Sequence, residues 1–273
     1  MAIDLNSLRK VKADKPPFVL IYGPEKSGKT TLAAEFPSPV FIQTEDGASG
    51  SLTLDSFGLL ENFSEVLDAL SALAGEHRFQ TIAVDSISKL QNIIWAEACV
   101  RNGWKSIEDA GFGRGYVETD YIWAEFIEAC RYLRDKCGLT IILIGHALIE
   151  RFDDPETQSY SRYQIDLHKR AMALITREVD AILLIKKDVT IKIDGNKTQV
   201  KVGQGRVRAE GGDTRWIHTE GRPAYQAGNR YDMPPKLMFE KGKGFDVLAP
   251  YLPINKPEPV KAATGKASAK QAA

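Results

Sequence analysis

The stretch that most constrains the fold of this chain is IYGPEKSGKT, residues 21–30. It fits the pattern G-x-x-x-x-G-K-T, and an apolar run (18–23) comes before it while a helical pattern follows. Backbone N–H groups of such a loop, together with the N-terminus of the next helix, bind phosphate groups. The pattern therefore predicts a nucleotide-binding α/β domain, with a chance glycine-rich turn as the alternative. Its four fixed positions are Gly23, Gly28, Lys29 and Thr30.

Two residues of this loop have predicted roles in phosphate chemistry. We expect Lys29 to reach the β- and γ-phosphates and the Thr30 hydroxyl to hold Mg²⁺. A second magnesium-associated residue is Asp85, which ends the apolar run QTIAVD (80–85). Asp85 has the alternative of simply capping the next helix. The residues predicted to line the phosphates are Gly23, Pro24, Glu25, Lys26, Ser27, Gly28, Lys29, Thr30 and Thr31.

A further carboxylate, Glu45, directly follows the apolar run PVFIQT (39–44). A carboxylate there can orient and deprotonate an attacking water, as general-base catalysis requires. The alternative is a solvated acidic turn, and the residues alone do not decide between them.

Short apolar runs alternate with helical patterns along the first two thirds of the chain. Continuous Val/Ile/Leu runs indicate strands covered on both faces, as in a parallel sheet. The alternation predicts a three-layer α/β domain with a mainly parallel sheet. The predicted strands are 18–23, 39–44, 80–85, 139–145 and 180–186, and the predicted helices are 29–35, 64–74 (capped by Ser64), 87–101 and 117–137.

The pattern changes after residue 186. Alternating apolar and polar residues around Asp194-Gly195-Asn196 predict an antiparallel hairpin at about 186–208. The predicted organisation is an N-terminal extension (1–16), an ATPase-type domain (17–252) and a disordered Lys/Ala/Pro-rich tail (253–273).

Composition narrows the class of protein. Lys+Arg and Asp+Glu both total 36, so any nucleic-acid-binding surface must be local. Three cysteines without metal-ligand spacing are expected to be reduced thiols. No signal peptide or long apolar run is visible, which predicts a cytoplasmic protein without a membrane partner.

Six segments occur in an order and spacing that resemble one family. The chain resembles phage-type, single-domain RecA-like ATP-binding proteins, associated with recombination and single-strand annealing, over roughly residues 15–245. It departs from the family at Gln43, where Asp is more common. The segments are VLIYGPEKSGKTTLA, VFIQTEDG, TIAVDSIS, GFGRGY, IILIGH and AGNRYDMP.

The resemblance has implications for the site. It implies ATP and Mg²⁺ as ligands, and Glu45 as the catalytic carboxylate. It also implies that LTIILIG (139–145) lies between the strands that carry the P-loop and Asp85. His146, at the end of that run, is then expected to sense the γ-phosphate, with a purely structural histidine as the alternative. In the host bacterium such a phage-encoded protein would be cytoplasmic.

Single-stranded DNA is the partner that the resemblance implies. Residues 147–170 are predicted to form a long loop that mixes rings and cations, although carboxylates offset its charge. The hairpin at 186–208 is more basic, with an edge hairpin protected by lysines as the alternative. GFGRGY (111–116) is a third candidate loop. The candidate DNA-binding residues are Arg151, Arg162, Lys169, Arg170, Lys192, Lys201 and Arg206.

The resemblance also implies an oligomer with ATP at subunit interfaces and a basic residue supplied by the neighbouring subunit. Arg230 is the first candidate for that residue and Arg222 the second, each with an ordinary surface ion pair as the alternative. A single-strand-binding protein is a further possible partner for the lysine-rich tail. The predicted function is thus a RecA-like recombination ATPase. The rivals are a nucleotide-dependent switch or assembly factor that acts on a protein partner, and a small-molecule kinase, against which the absence of an arginine-rich lid argues.

Overall fold

The computed structural model describes residues 14–47, 52–154, 158–194 and 206–254. The predicted N-terminal extension, except its last residues, and the predicted tail from residue 255 lie outside this part of the chain. The strands are β1 (Phe18–Gly23), β2 (Pro39–Gln43), β3 (Asp55–Leu59), β4 (Thr81–Asp85), β5 (Thr140–Phe152), β6 (Tyr160–Ile165), β7 (Ala181–Asp194), β8 (Arg206–His218), β9 (Gly228–Asn229) and β10 (Lys236–Phe239). The helices are α1 (Lys29–Ala34), α2 (Phe63–Ala72), α3 (Ile87–Asn102), α4 (Arg114–Cys137), α5 (Lys169–Glu178) and α6 (Gly244–Leu248), with a 3₁₀ turn at Ile107–Ala110.

The strands form a sheet in the order β10-β8-β7-β1-β5-β4-β2-β3. All neighbours from β7 to β3 run parallel, whereas β8 and β10 are added antiparallel at one side. The two short additions, β6 on β5 and β9 on β7, are also antiparallel. The predicted α/β class and mainly parallel sheet are confirmed, as is the position of β5 between β1 and β4.

The core lies on both faces of this sheet. Along β1, Phe18, Leu20 and Tyr22 pack with helices α2 to α5, whereas Val19 and Ile21 pack with α1 and α6. All five side chains are completely buried, because the strand is covered on both sides. This gives the three predicted layers and leaves the carboxyl ends of the strands at one edge of the sheet.

Two predicted helix starts were wrong. Helix α2 begins at Phe63, because the Asn62 side chain accepts a hydrogen bond from the Glu65 N–H at 3.0 Å, so the cap is Asn62 and not Ser64. Helix α4 begins at Arg114, three residues before the predicted start, so that GFGRGY is only partly a loop.

The predicted loop at 147–170 was also wrong. Strand β5 continues past its buried part to Phe152 and pairs antiparallel with β6, from Ala147↔Ile165 to Phe152↔Tyr160. The hairpin predicted at about 186–208 is confirmed and is longer than expected. Strands β7 and β8 pair from Asp194↔Arg206 back to Leu184↔His218.

In the described part of the chain, no helix is long and apolar enough to cross a membrane. The same residues contain no cluster of three His, Cys, Asp or Glu that could hold a metal ion. The three cysteines, Cys99, Cys130 and Cys137, are free thiols, and burial raises the pKa of the Cys130 thiol far above its ordinary value.

Candidate functional site

The phosphate-binding pattern forms the predicted strand–loop–helix unit. Strand β1 ends at Gly23 and α1 begins at Lys29. A Cβ at Gly23 would lie 2.2 Å from the carbonyl oxygen of Ile185, so only glycine fits there. Gly28, which precedes α1, has φ of 103°, a left-handed conformation that favours glycine. Both fixed glycines are therefore required by the backbone path of the loop.

The Lys29 side chain is folded back onto this loop. Its ammonium donates to the carbonyl oxygens of Gly23 (3.0 Å) and Pro24 (2.9 Å). Burial lowers the pKa of Lys29, and nearby carboxylates, chiefly that of Asp85, oppose this shift. The loop thus holds a buried lysine donor at the place where the pattern predicts phosphate.

Thr30 and Asp85, the two predicted magnesium-associated residues, lie next to each other. The Thr30 hydroxyl donates to Asp85 Oδ2 at 2.7 Å. Burial raises the pKa of the Asp85 carboxyl, while the hydrogen bond from Thr30 and the charge of Lys29 lower it. A hydroxyl and a buried carboxylate are hard oxygen donors that suit Mg²⁺, and a cation beside Asp85 would favour its ionised form. The residues therefore fit the predicted metal.

Glu45 and His146 form a pair although they are 101 residues apart in sequence. His146 Nε2 lies 2.8 Å from Glu45 Oε1. The hydrogen bond from His146 lowers the pKa of Glu45, and the same bond raises the pKa of His146 despite its partial burial. At neutral pH, Glu45 is accordingly an ionised carboxylate that can accept a proton.

Hydrogen bonds between neighbouring strand ends hold Glu45 and His146 in position. Next to Glu45, the Thr44 N–H donates to the Asp85 carbonyl oxygen at 2.9 Å, and the Thr44 hydroxyl donates to the Ser86 carbonyl oxygen at 2.7 Å. The His146 N–H donates to Ser88 Oγ at 3.0 Å. The ends of β2, β4 and β5 are thus tied together around one site.

These groups surround a cavity of about 710 Å³. The predicted residues Lys29, Glu45, Asp85 and His146 all line it, whereas Gly23, Pro24 and Ser27 do not. Asp46, Gly47 and Leu52 also line the cavity, and none of them was predicted. The complete lining consists of Glu25, Lys26, Gly28, Lys29, Thr30, Thr31, Glu45, Asp46, Gly47, Leu52, Asp85, His146, Arg215 and Lys241.

The sequence analysis also missed two cations of the cavity, Arg215 and Lys241. Arg215 lies on β8, and Lys241 lies in the turn after β10. No local motif marks either residue. The only signal is indirect, since an antiparallel continuation of the sheet after β7 can return to the P-loop.

Arg230 does not reach this cavity within one subunit. It follows β9 and pairs with Asp180 at 3.1 Å, just before β7 begins. Asp180 also accepts a hydrogen bond from the N–H of Phe18, the first residue of β1. Arg230 therefore lies at the amino-terminal edge of the sheet, opposite to the cavity, and its role in a neighbouring subunit stays a prediction.

The candidate DNA-binding residues are dispersed over the hairpin β5–β6 and the start of α5. Arg151 contacts Ser159 at 3.1 Å, and the Arg162 guanidinium lies 3.8 Å from the centre of the Phe152 ring. Lys169 is exposed, whereas Arg170 is held by Asp120 of α4 at 3.1 Å. The side chains of Lys192, Lys201 and Arg206 lie outside the described residues.

Comparisons with known proteins identify one family and a similar solved structure. A family model described as "AAA domain" matches residues 15–231. The chain belongs to this family. A search of curated proteins finds no match. Among solved structures, the RadB recombinase is similar, with 15% identity and a TM-score of 0.45 over 82% of this chain and 86% of that one.

Proposed function

We propose that this AAA-domain protein is a magnesium-dependent, RecA-like ATPase of a phage recombination system, which binds single-stranded DNA and promotes annealing or strand pairing. The observation that carries the proposal is the course of β5. Its buried part ends at Gly145, just before His146 in the cavity, and the same strand continues into the exposed β5–β6 hairpin.

Each site residue has a separate role in ATP hydrolysis. Lys29 binds the phosphates, and Thr30 with Asp85 would hold Mg²⁺, which neutralises charge on the phosphate oxygens when bound. Glu45 accepts a proton from the water whose oxygen bonds to the γ-phosphorus. The bond from that phosphorus to the bridging oxygen breaks, and ADP leaves. His146 donates a hydrogen bond to the γ-phosphate, in exchange for its bond to Glu45.

A continuous set of contacts leads from His146 to the exposed surface. The Asp166 N–H, just after β6, donates to the His146 carbonyl oxygen at 2.9 Å. Two residues further, the His168 ring stacks on Tyr116, with centroids 4.5 Å apart and planes 19° apart. A change at His146 would therefore be transmitted to the hairpin and to the start of α4.

The surface at the end of this path has the composition of a single-strand site. Phe112 is fully exposed, and Arg114 beside it is also exposed. On the hairpin, Ile149 is 68% exposed next to Arg151. Rings and apolar groups that stack on bases, alternating with cations near the phosphates, bind single strands with little sequence preference.

Binding of single-stranded DNA and its effect on hydrolysis test the proposal. At low salt, we expect binding and faster ATP hydrolysis. Phe112→Ala with Arg114→Ala should weaken DNA binding at least tenfold, because base stacking and a charge contact are both lost. Arg78→Ala is the control, since Arg78 is exposed and pairs with Asp55 on the edge strand β3, away from the β5–β6 hairpin in the strand order. Hydrolysis without any response to DNA would instead favour a switch that acts on a protein partner.

The proposal extends to assembly. In an oligomer with ATP at subunit interfaces, Arg230 would be supplied to the neighbouring site, and the lysine-rich tail would recruit a single-strand-binding protein. Arg230→Ala should then slow hydrolysis without weakening nucleotide binding. Normal turnover in an assembled oligomer of this variant would overturn the assignment.

A further inference from the structure

Arg215 approaches the P-loop from the antiparallel side of the sheet. On β8 its backbone is paired with Lys187 of β7 and Phe239 of β10. Its Cδ and Nη1 atoms lie 3.7 Å from the position that a Cβ on Gly28 would occupy. The Arg215 side chain therefore lies against the residue that immediately precedes α1.

The guanidinium is only partly satisfied by the protein. Arg215 lines the cavity, and its Nε is buried without a hydrogen-bond partner among the described residues. A buried donor without an acceptor is costly unless a ligand or water supplies one. The Arg215 side chain therefore lines the cavity while carrying a donor that the described residues do not satisfy.

Hydrogen bonds hold the turn after β10 against α1. This turn places a second cation on the same side of the cavity as Arg215. The Glu35 carboxylate, at the end of α1, accepts hydrogen bonds from the N–H groups of Gly242 (2.6 Å) and Gly244. A Cβ at Gly244 would lie 2.5 Å from Leu32 Cδ1, so a larger residue there would have to displace the Leu32 side chain. Lys241 lies within this turn and lines the cavity.

Outside the P-loop, which itself carries Glu25, Lys26 and Lys29, the charges of the cavity lie on two sides. Glu45 follows β2 and Asp85 ends β4, on one side of β1. Arg215 and Lys241 come from β8 and the turn after β10, on the other side. The first side suits a metal ion and the attacking water, whereas the second suits the anionic phosphate tail.

We infer that Arg215 binds the phosphate tail of the nucleotide within its own subunit, with Lys241 as a second cation on the same side. This inference rests on the proposed nucleotide-binding function. A guanidinium offers a planar fork of donors that matches phosphate oxygens, and an ammonium does not reproduce this geometry.

Direct titration calorimetry with ATP and with inorganic tripolyphosphate tests the inference. Arg215→Ala should weaken the binding of both ligands by about 10- to 100-fold, the range of a lost charge-assisted contact. Arg215→Lys should weaken both by a smaller factor. Lys236→Ala is the matched control on the same strand pair, because Lys236 contacts the Trp216 ring and does not line the cavity, and it should bind both ligands normally.

Thermal unfolding of the ligand-free variants separates binding from a structural role. Since a buried Arg215 Nε without a partner among the described residues is costly, Arg215→Ala should melt at or above the wild-type temperature. Wild-type affinity in Arg215→Ala or in Arg215→Lys would overturn the inference. A loss for ATP without a loss for tripolyphosphate would also overturn it, because the contact would then be to the nucleoside.

A Lys29→Ala variant distinguishes this inference from the proposed function. If Lys29→Ala abolishes ATP binding while Arg215→Ala leaves it unchanged, only the role of Arg215 is wrong. If Lys29→Ala binds ATP as the wild type does, the nucleotide site itself is wrong, and the role of Arg215 falls with it.

Discussion

The Glu45–His146 pair predicts a specific pH dependence of stability for the ligand-free protein. The pKa of His146 is raised in the folded protein. The contribution of His146 to the free energy of unfolding is therefore complete below its ordinary pKa of 6.5 and is lost as pH rises through the native pKa. The lowered pKa of Glu45 means that its contribution is present above 4.5 and is lost as pH falls through the native pKa. The pair therefore stabilises the fold most between about pH 4.5 and 6.5.

The size of the effect follows from the exposure of the two side chains. They are 32% and 28% exposed, so water screens the interaction and limits it to about 1 kcal/mol. For a domain of this size, that free energy corresponds to about 2–4 °C in melting temperature. His146→Gln keeps an amide donor near Glu45 but removes the titrating ring. The wild type should therefore melt at a higher temperature than the variant at low pH, and this difference should shrink as pH rises above 6.5.

Thermal unfolding of both proteins from pH 5.5 to 8.5 measures the difference. His77→Gln is the comparison, because among the described residues the His77 ring bonds the backbone oxygen of Leu73 and the N–H of Phe79, and it is not paired with a carboxylate. If the effect belongs to the Glu45–His146 pair, His77→Gln should not reproduce it. A constant offset between His146→Gln and the wild type would refute the reasoning about the pair.

Other predictions concern the site and the core. Lys29→Ala should lose nucleotide binding at least 100-fold, measured by calorimetry, and near-normal affinity would contradict the phosphate site. Glu45→Gln should bind ATP but hydrolyse it about 100- to 10,000-fold more slowly in a phosphate-release assay, as loss of a general base requires; normal turnover would exclude Glu45 as the base. Removal of Mg²⁺ with EDTA should stop hydrolysis, since Thr30 and Asp85 then lack their cation, and continued turnover would count against a metal site. Trp123→Ala should reduce the free energy of unfolding by about 3–5 kcal/mol in denaturant titrations, because Trp123 is completely buried; a smaller loss would show that the core there can collapse around the gap.

The convergence of the acidic residues and His146 could be predicted from sequence. Glu45, Asp85 and His146 each follow a continuous apolar run, and the carboxyl ends of parallel strands meet at one edge of a sheet. The apolar runs alone do not give the order of the strands in the sheet. That order was inferred from the family resemblance. With the order fixed, the three side chains had to lie near the P-loop.

The positions of the antiparallel strands could not be predicted in the same detail. Arg215 is distant in sequence from Gly28, and its position depends on how β8 and β10 add to β7. In the β5–β6 hairpin, charged residues obscure the alternation of apolar and polar positions, which made the segment resemble a loop. Cap choice at α2 was a third difficulty, since Asn62 and Ser64 are both good capping residues. The misses share a cause, because each depends on a pairing or contact that local sequence does not specify.

ATP hydrolysis by the wild type and by Glu45→Gln, with and without single-stranded DNA at low salt, tests the central claim most directly. The account predicts magnesium-dependent hydrolysis by the wild type that DNA accelerates, and nucleotide binding without turnover by Glu45→Gln in both conditions. Equal turnover by the two proteins, or no hydrolysis by a wild type that binds MgATP and DNA, would contradict it.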